Sequence, residues 1–308
     1  MPFLEHYQSQ VRLILQLVPI IAREQCFALK GGTAINLFIR ELPRLSVDID
    51  LTYLPVHRRE EALTAIDAAF RRIESAALSL ISGAKSTQHL VEGSTLRLVI
   101  RANRAQVKIE CSPVVRGVVN KPVLMQVSDA VEAGFGFAEM SVASFDDLYA
   151  GKLVAALDRQ HPRDLFDVAL LLEKEGISET LRHTFLLYLL SHNRPMGEVL
   201  SGRVKDLARE YQFGFDGMTD VAVPMSALIA TQANMIDLLI TRMPKGHRAF
   251  LISFEEGHPE WELIGLSEAP TLPAIQWRTH NLDGLTPAKR KALVAVLRSS
   301  LSREPLSG

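Results

Sequence analysis

Ala28-Leu29-Lys30-Gly31-Gly32-Thr33-Ala34-Ile35-Asn36-Leu37-Phe38, followed by Arg44-Leu45-Ser46-Val47-Asp48-Ile49-Asp50-Leu51, is the stretch that decides the reading of this chain. Glu24 to Leu29 is a short apolar strand candidate, Thr33 to Arg40 a short helix, and Val47 to Leu51 a second strand of strict alternation. A Gly-Gly-Thr turn between a strand and a helix start lets backbone N–H groups approach a phosphate closely, and the helix dipole favours negative charge there. Alone the turn says little, because glycine serves turns everywhere. The Asp-Ile-Asp element sharpens it. Side chains of a strand alternate faces, and residues two apart lie about 7 Å apart on one face. Asp48 and Asp50 therefore point the same way, while Val47, Ile49 and Leu51 fill the buried face. Two carboxylates held in parallel on a rigid strand suit one or two Mg²⁺ ions that clamp phosphates. The competing reading is a solvated strand face.

Outward from that stretch, Arg59 to Ile73 sets Ala62, Ile66, Ala69, Phe70 and Ile73 on one helical stripe, a packing helix. Leu96-Arg-Leu-Val-Ile100 and Val107-Lys-Ile-Glu-Cys111 read as a hairpin that turns at Ala102-Asn103-Arg104-Ala105. Strand, helix, strand, helix, hairpin implies an α/β (α+β) lobe with a small mixed sheet over residues 1–140. Residues 141–308 read as a mainly α-helical lobe. Ser144 can cap a helix whose first turn holds Asp146 and Asp147, and Pro162 stops that helix and opens the next. Neither an internal repeat nor a low-complexity segment is evident.

Glu110 faces away from Val107, Ile109 and Cys111, so it is either a third acid for the Asp48–Asp50 pair, as metal ligand or as base, or a surface residue beside Lys108. A second cluster lies at Lys152, Arg159, Arg163, Asp164 and Asp167. Lys152 and Arg159, seven residues apart, share a helix face on which cations can hold triphosphate oxygens. Arg163 and Asp167 have the i, i+4 spacing of an ordinary helix-surface ion pair. Arg97, Arg101, Arg104, Lys108, Arg116 and Lys121 surround the hairpin and can track an RNA backbone, although such residues more often form a solvated edge.

The remaining composition excludes more than it selects. The 308 residues are 47% hydrophobic and 22% charged with a formal net charge of −1, an ordinary globular balance that argues against a DNA-coating protein. Cys26 and Cys111 sit in apolar, strand-like runs and read as buried thiols of a reducing compartment. Val11 to Ala22 contains Arg12, Gln16 and Pro19 and is shorter than the roughly 20 apolar residues of a membrane span, so it reads as a buried helix of a cytoplasmic protein with no membrane partner. None of the nine histidines has zinc-ligand spacing, and no nucleophilic Ser or Cys motif appears. Trp261 and Trp277 lie beside Leu263, Ile264 and Ile275 and read as core rather than base-stacking residues.

Gly-Gly-Thr-Ala-Ile-Asn-Leu-Phe, then Arg-x-Ser-x-Asp-x-Asp-Leu, then Lys152…Arg159…Arg163-Asp164-x-x-Asp167 together resemble the AbiEii abortive-infection and type IV toxin–antitoxin family of polymerase-β-like nucleotidyltransferases. The likeness continues through His258-Pro-Glu-Trp261 and Leu272-Pro-Ala-Ile-Gln-Trp277, hence over most of the chain. It implies a bilobed Mg²⁺- or Mn²⁺-dependent toxin that transfers NMP from an NTP to an RNA acceptor, the tRNA 3′ end in characterised relatives, with an antitoxin encoded adjacently. On this chain it implies Asp48 and Asp50 as metal ligands and Lys30, Gly31, Gly32, Thr33, Arg44 and Ser46 as nucleotide-binding residues. From the second cluster it adds Arg159, Arg163 and Asp164 to the nucleotide contacts, Lys152 to the triphosphate and Asp167, in preference to Asp164, as the later catalytic acid. Glu110 joins the metal set from the strand pattern alone. Two further readings share these residues: a transferase acting on a protein or small molecule, and a catalytically silent nucleotide-binding member.

Overall fold

The computed structural model describes residues 5–302 apart from 92, 220, 267 and 268. The chain divides into two compact units, the first comprising Met1–Leu148 and Asp216–Ala222, the second Tyr149–Phe215 and Val223–Gly308.

Seven strands form the sheet of the first unit: β1 (Phe27–Lys30), β2 (Asp48–Tyr53), β3 (Lys85–Val91), β4 (Ser94–Ala102), β5 (Ala105–Arg116), β6 (Val123–Gln126) and β7 (Glu139–Val142). Their order is β3-β4-β5-β2-β1-β7-β6. The sheet is mixed, as the sequence implies: β2 runs antiparallel to β1 but parallel to β5, and β1 runs parallel to β7. The β4–β5 hairpin turns at Asn103 and Arg104, both at positive φ (50° and 63°), the twist that a two-residue hairpin requires. Helix α1 (Glu5–Ile21) buries Val11, Ile14, Leu17, Val18 and Ile21 and packs on β5 and β7. A short α2 (Gly31–Ala34) follows β1 and continues as a wider π-type turn over Ile35–Ile39. Helix α3 (Arg59–Leu80) packs on β4 and β5. It outruns the expected end at Ile73 because Ala77, one turn further, keeps the apolar stripe buried. A short α4 (Asp129–Phe135) joins β6 to β7. Leu45 N donates to Met218 O (2.9 Å) and Arg44 bridges to Thr219, so the 216–222 segment returns to this unit.

The second unit is helical. It takes most of α5 (Phe145–Asp158), then α6 (Pro162–Lys174), α7 (Glu179–Leu190) and helices at Met225–Ile236, Lys245–Glu256, Pro273–Asp283 and Pro287–Leu301. Ser144 Oγ accepts from Asp147 N (3.0 Å) and caps α5, and Pro162 opens α6. The core of the second unit includes Leu153, Leu157, Leu165, Val168, Leu171, Phe185, Phe250 and Phe254. Among the described residues, no helix is long and apolar enough to cross a membrane.

Candidate active site

Strand β2 presents Asp48 and Asp50 on one face, with Ile49 and Leu51 fully buried on the other. The parallel register of β2 with β5 sets Lys108 beside Asp48 and Glu110 beside Asp50, and the antiparallel register with β1 sets Lys30 opposite Asp50. Three carboxylates and two lysines therefore share one patch of sheet. Lys108 Nζ lies 2.9 Å from a Glu110 carboxylate oxygen and 3.8 Å from one of Asp48. Arg97, the β4 neighbour of Glu110, donates to the other Glu110 oxygen at 2.6 Å.

Electrostatics separates these acids. Burial, opposed in part by Lys30 and reinforced by Asp48, pushes the Asp50 carboxyl above its ordinary range. Burial also pushes Glu110 up, but hydrogen bonds and charge from Arg97 and Lys108 outweigh it and leave that carboxyl below its usual range. Lys108 loses solvation too, yet its contact with Glu110 and the charges of Asp48 and Asp50 hold its ammonium above the ordinary value.

The glycine loop is shaped by these side chains. Gly31 has φ +75°, and a Cβ there would stand 2.6 Å from Asp50 Oδ2. A Cβ on Gly32 would stand 2.8 Å from Arg44 Nη2 and 2.9 Å from Ser46 Oγ. A side chain at either position would make those side chains shift, and at Gly31 the positive φ adds backbone strain, so the two glycines let the loop close over the acid strand and over Arg44. The buried Thr33 hydroxyl donates to the Asp48 carbonyl and shares a 3.0 Å hydrogen bond with Ser46 Oγ. Arg44, 2% exposed, donates from Nη1 to its neighbour's carbonyl, Leu45 O, at 2.9 Å. Lys30, Gly31, Gly32, Thr33, Arg44, Ser46, Asp48, Asp50 and Glu110 are thus brought together, and Thr33 and Ser46 tie the loop to the acid strand.

A cleft of about 500 Å³ opens beside Asp50 on the β5, β4 and β3 side. Its polar lining includes Arg59, His89 and Ser112 besides Lys30, Arg97 and Glu110. Arg59, His89 and Ser112 carry no motif: strand order brings His89 of β3 and Ser112 of β5 to the acids, and the start of α3 brings Arg59. Asp147 was also missed in its full role. Beyond the first turn of α5, its carboxylate accepts from the backbone of Val119 and Asn120, both at 2.9 Å, and anchors the connection after β5.

Among the described residues, no three or more His, Cys, Asp or Glu side chains converge as a metal cage. The donor chemistry of Asp48 and Asp50 nevertheless fits a hard divalent ion whose shell is completed by substrate phosphates. The Lys108 ammonium between Asp48 and Glu110 shows that the patch accommodates a cation. Glu110 stands alongside Asp50, with its own oxygens engaged by Arg97 and Lys108.

In the second unit, Lys152, Asp164 and Asp167 form a buried cluster. Lys152 Nζ lies 2.9 Å from each carboxylate, with side chains 6%, 1% and 0% exposed. Arg159, in the turn just past the end of α5 rather than on the helix itself, reaches Asp164 from solvent through Nε (2.5 Å) and Nη2 (2.9 Å). Burial raises the Asp164 carboxyl, but Lys152 and Arg159 together drive it far below the ordinary range. Arg163 lies in the first turn of α6, its backbone N–H bonded to the cap residue His161.

Of the cations around the hairpin, Arg97 and Lys108 are bound to Glu110, Arg101 to Gln106 and Thr87, and Arg116 to the carbonyls of His57 and Pro113. Arg104 and Lys121 are exposed. Trp261 packs on Phe250 and Phe254, at ring separations of 5.0 and 6.0 Å, and is part-buried rather than fully in the core. Trp277 departs from the core reading: it is 58% exposed and stacked on His280, because Ile275 and Leu282 take the buried face of its helix. Cys111 is buried and its thiol is pushed up to about 12 by desolvation, whereas Cys26 is only part-buried.

The model of the family described as "Nucleotidyl transferase AbiEii toxin, Type IV TA system" matches residues 13–277. Among curated proteins, none matches in sequence. One similar solved structure is MenT4, the nucleotidyltransferase toxin Rv2826c from Mycobacterium tuberculosis H37Rv. It superposes with a TM-score of 0.57 at 15% identity over 94% of this chain and 93% of that one. At that identity the likeness establishes a common fold.

Proposed function

The chain belongs to the AbiEii family of nucleotidyltransferase toxins, and on that premise we propose that it transfers a nucleoside monophosphate from an NTP to an RNA acceptor, the 3′ end of tRNA, thereby blocking translation. The observation that carries this reading is the pair Asp48 and Asp50 on one face of β2, with Asp50 packed against Gly31 of the loop.

In this reading the backbone N–H groups at Gly31, Gly32 and Thr33 take phosphate oxygens at the start of α2. Asp48 and Asp50 would hold Mg²⁺ or Mn²⁺, which supplies charge neutralisation for the triphosphate. The acceptor hydroxyl attacks the α-phosphorus in line; its P–O bond forms as the bond to the β-phosphate oxygen breaks, and pyrophosphate leaves. The hydroxyl proton passes to a carboxylate of the cluster, for which Glu110, held ionised beside Asp50, is the candidate. Lys30, across the strand from Asp50, offsets negative charge at the same patch. The roles of Lys152 at the triphosphate, Arg159, Arg163 and Asp164 in nucleotide binding, and Asp167 as the later acid belong to the same proposal. So do a cytoplasmic location and a cognate antitoxin partner.

The test incubates the chain, and an Asp48→Ala, Asp50→Ala double variant, with Mg²⁺, each labelled NTP in turn and total tRNA. Labelled RNA from the parent that disappears in the variant supports the proposal and names the nucleotide. Label on protein or on a small molecule would replace the RNA acceptor, and no label anywhere would point to a silent nucleotide-binding member.

A further inference from the structure

The acid patch carries its own neutralising cations. Asp48, Asp50 and Glu110 supply three carboxylates; Lys30 faces Asp50 from β1, Lys108 faces Asp48 from β5, and Arg97 faces Glu110 from β4. Formally the six charges cancel. Lys108 is the pivotal member, because it sits two residues before Glu110 and therefore on the same face of β5. Its ammonium reaches both Glu110 (2.9 Å) and Asp48 (3.8 Å), filling the gap between acids of different strands. Like charges a few ångströms apart in a partly desolvated patch repel, so the ammonium opposes a bare divalent ion at Asp48. A metal–triphosphate complex is different: it is net negative, and it offers a displaced lysine new anionic partners.

Resting on the transferase reading above, we propose that Lys108 is a built-in counter-cation that a divalent ion must displace from Asp48 and Glu110, so that metal enters this site with nucleotide rather than alone. Lys108 is thereby a positioning residue. In the nucleotide-free protein it fixes Glu110 against Arg97, and on metal entry it releases that carboxylate.

The test measures Mn²⁺ binding to the full chain by electron paramagnetic resonance, without nucleotide, for the parent, Lys108→Met and Lys108→Arg. Lys108→Met is expected to bind Mn²⁺ roughly tenfold or more tightly than the parent, the factor that about 1.4 kcal/mol of relieved repulsion gives, and Lys108→Arg is expected to match the parent. With a non-hydrolysable NTP analogue present, the gap between parent and Lys108→Met narrows. Lys108→Gln, which keeps a polar group of similar reach, carries the same expectation should the methionine variant fold poorly by circular dichroism. Equal or weaker Mn²⁺ binding by the neutral variants overturns the proposal, and so does the absence of any binding. Loss of RNA labelling in the Asp48, Asp50 double variant is judged separately, so failure of the Lys108 inference leaves the transferase reading standing.

Discussion

Lys152→Met tests whether the second-unit cluster is structural as well as functional. The substitution keeps most of the side-chain volume but removes the ammonium from between Asp164 and Asp167, each 2.9 Å away and at most 1% exposed. Both carboxylates lose the ammonium they share, while Asp164 keeps its two hydrogen bonds from Arg159. Breaking a buried ion pair from one side costs about 3–5 kcal/mol, because a charge stays buried without its counter-ion. Both tryptophans, 261 and 277, lie in the second unit, so intrinsic fluorescence follows the unfolding of that unit by itself. With a urea m-value of about 2 kcal/mol/M, the loss moves the midpoint down by roughly 1.5–2.5 M. Adding Asp167→Asn to Lys152→Met removes one of the two buried charges that faced the ammonium and is expected to recover part of the shift. A midpoint within about 0.3 M of the parent, well below any shift the ion-pair cost allows, would refute the reasoning. In that event, a loss of nucleotide transfer by Lys152→Met would be due to chemistry alone.

Gly31→Ala forces a Cβ into left-handed backbone, costing about 1–2 kcal/mol, and displaces the Asp50 carboxylate that lies 2.6 Å from the new atom. Label transfer is expected to fall by about 10²-fold, and a fall of less than about threefold would show that Asp50 does not need its present position. Thr33→Val removes the hydroxyl that ties the loop to the Asp48 carbonyl and Ser46. Thermal unfolding of the first unit, followed by circular dichroism, should show a loss of about 1–3 kcal/mol, and an unchanged transition would deny that tie. For pH, Asp164 has a folded-state carboxyl depressed below its unfolded value near 3.9. Its contribution to stability is therefore complete above about pH 4–5 and fades as pH falls through the depressed folded value. Fluorescence-monitored unfolding should weaken below that pH in the parent and much less in Asp164→Asn, and equal acid sensitivity in both would contradict the assignment.

Local periodicity carried much of the fold. Period two fixed the common face of Asp48 and Asp50, and the Asn-containing turn fixed the β4–β5 hairpin. Pairing between distant strands left no local trace. The hairpin was legible, but its parallel register on β2, which places Glu110 beside Asp50 and Lys108 beside Asp48, depends on tertiary packing. The same limit hid the return of the 216–222 segment to the sheet unit and the arrival of Arg59, His89 and Ser112 at the cleft. Seven-residue spacing put Lys152 and Arg159 on one helix face, yet one side chain is 6% exposed and the other 63%. The helix ends at Asp158, so Arg159 approaches Asp164 from the following turn while Lys152 approaches it from within the helix.

The glycine loop shows how a correct reading of residue types can miss part of their physical reason. From sequence, Gly31 and Gly32 are glycines because a phosphate must come close to the backbone. In the fold each is also pressed by a side chain of the following strand segment, Gly31 by Asp50 and Gly32 by Arg44 and Ser46. At Gly31, where φ is positive, the requirement for glycine thus exists before any ligand arrives. It couples the two halves of the motif, since the absence of side chains in the loop is what allows the acid strand its place. A loop selected only for phosphate would tolerate drift of Asp50, and an acid strand selected only for metal would tolerate alanine in the loop. Their mutual contact makes loop and acids one structural unit, so under the proposed function substitutions at Gly31 are expected to impair both the metal binding assigned to Asp50 and nucleotide binding.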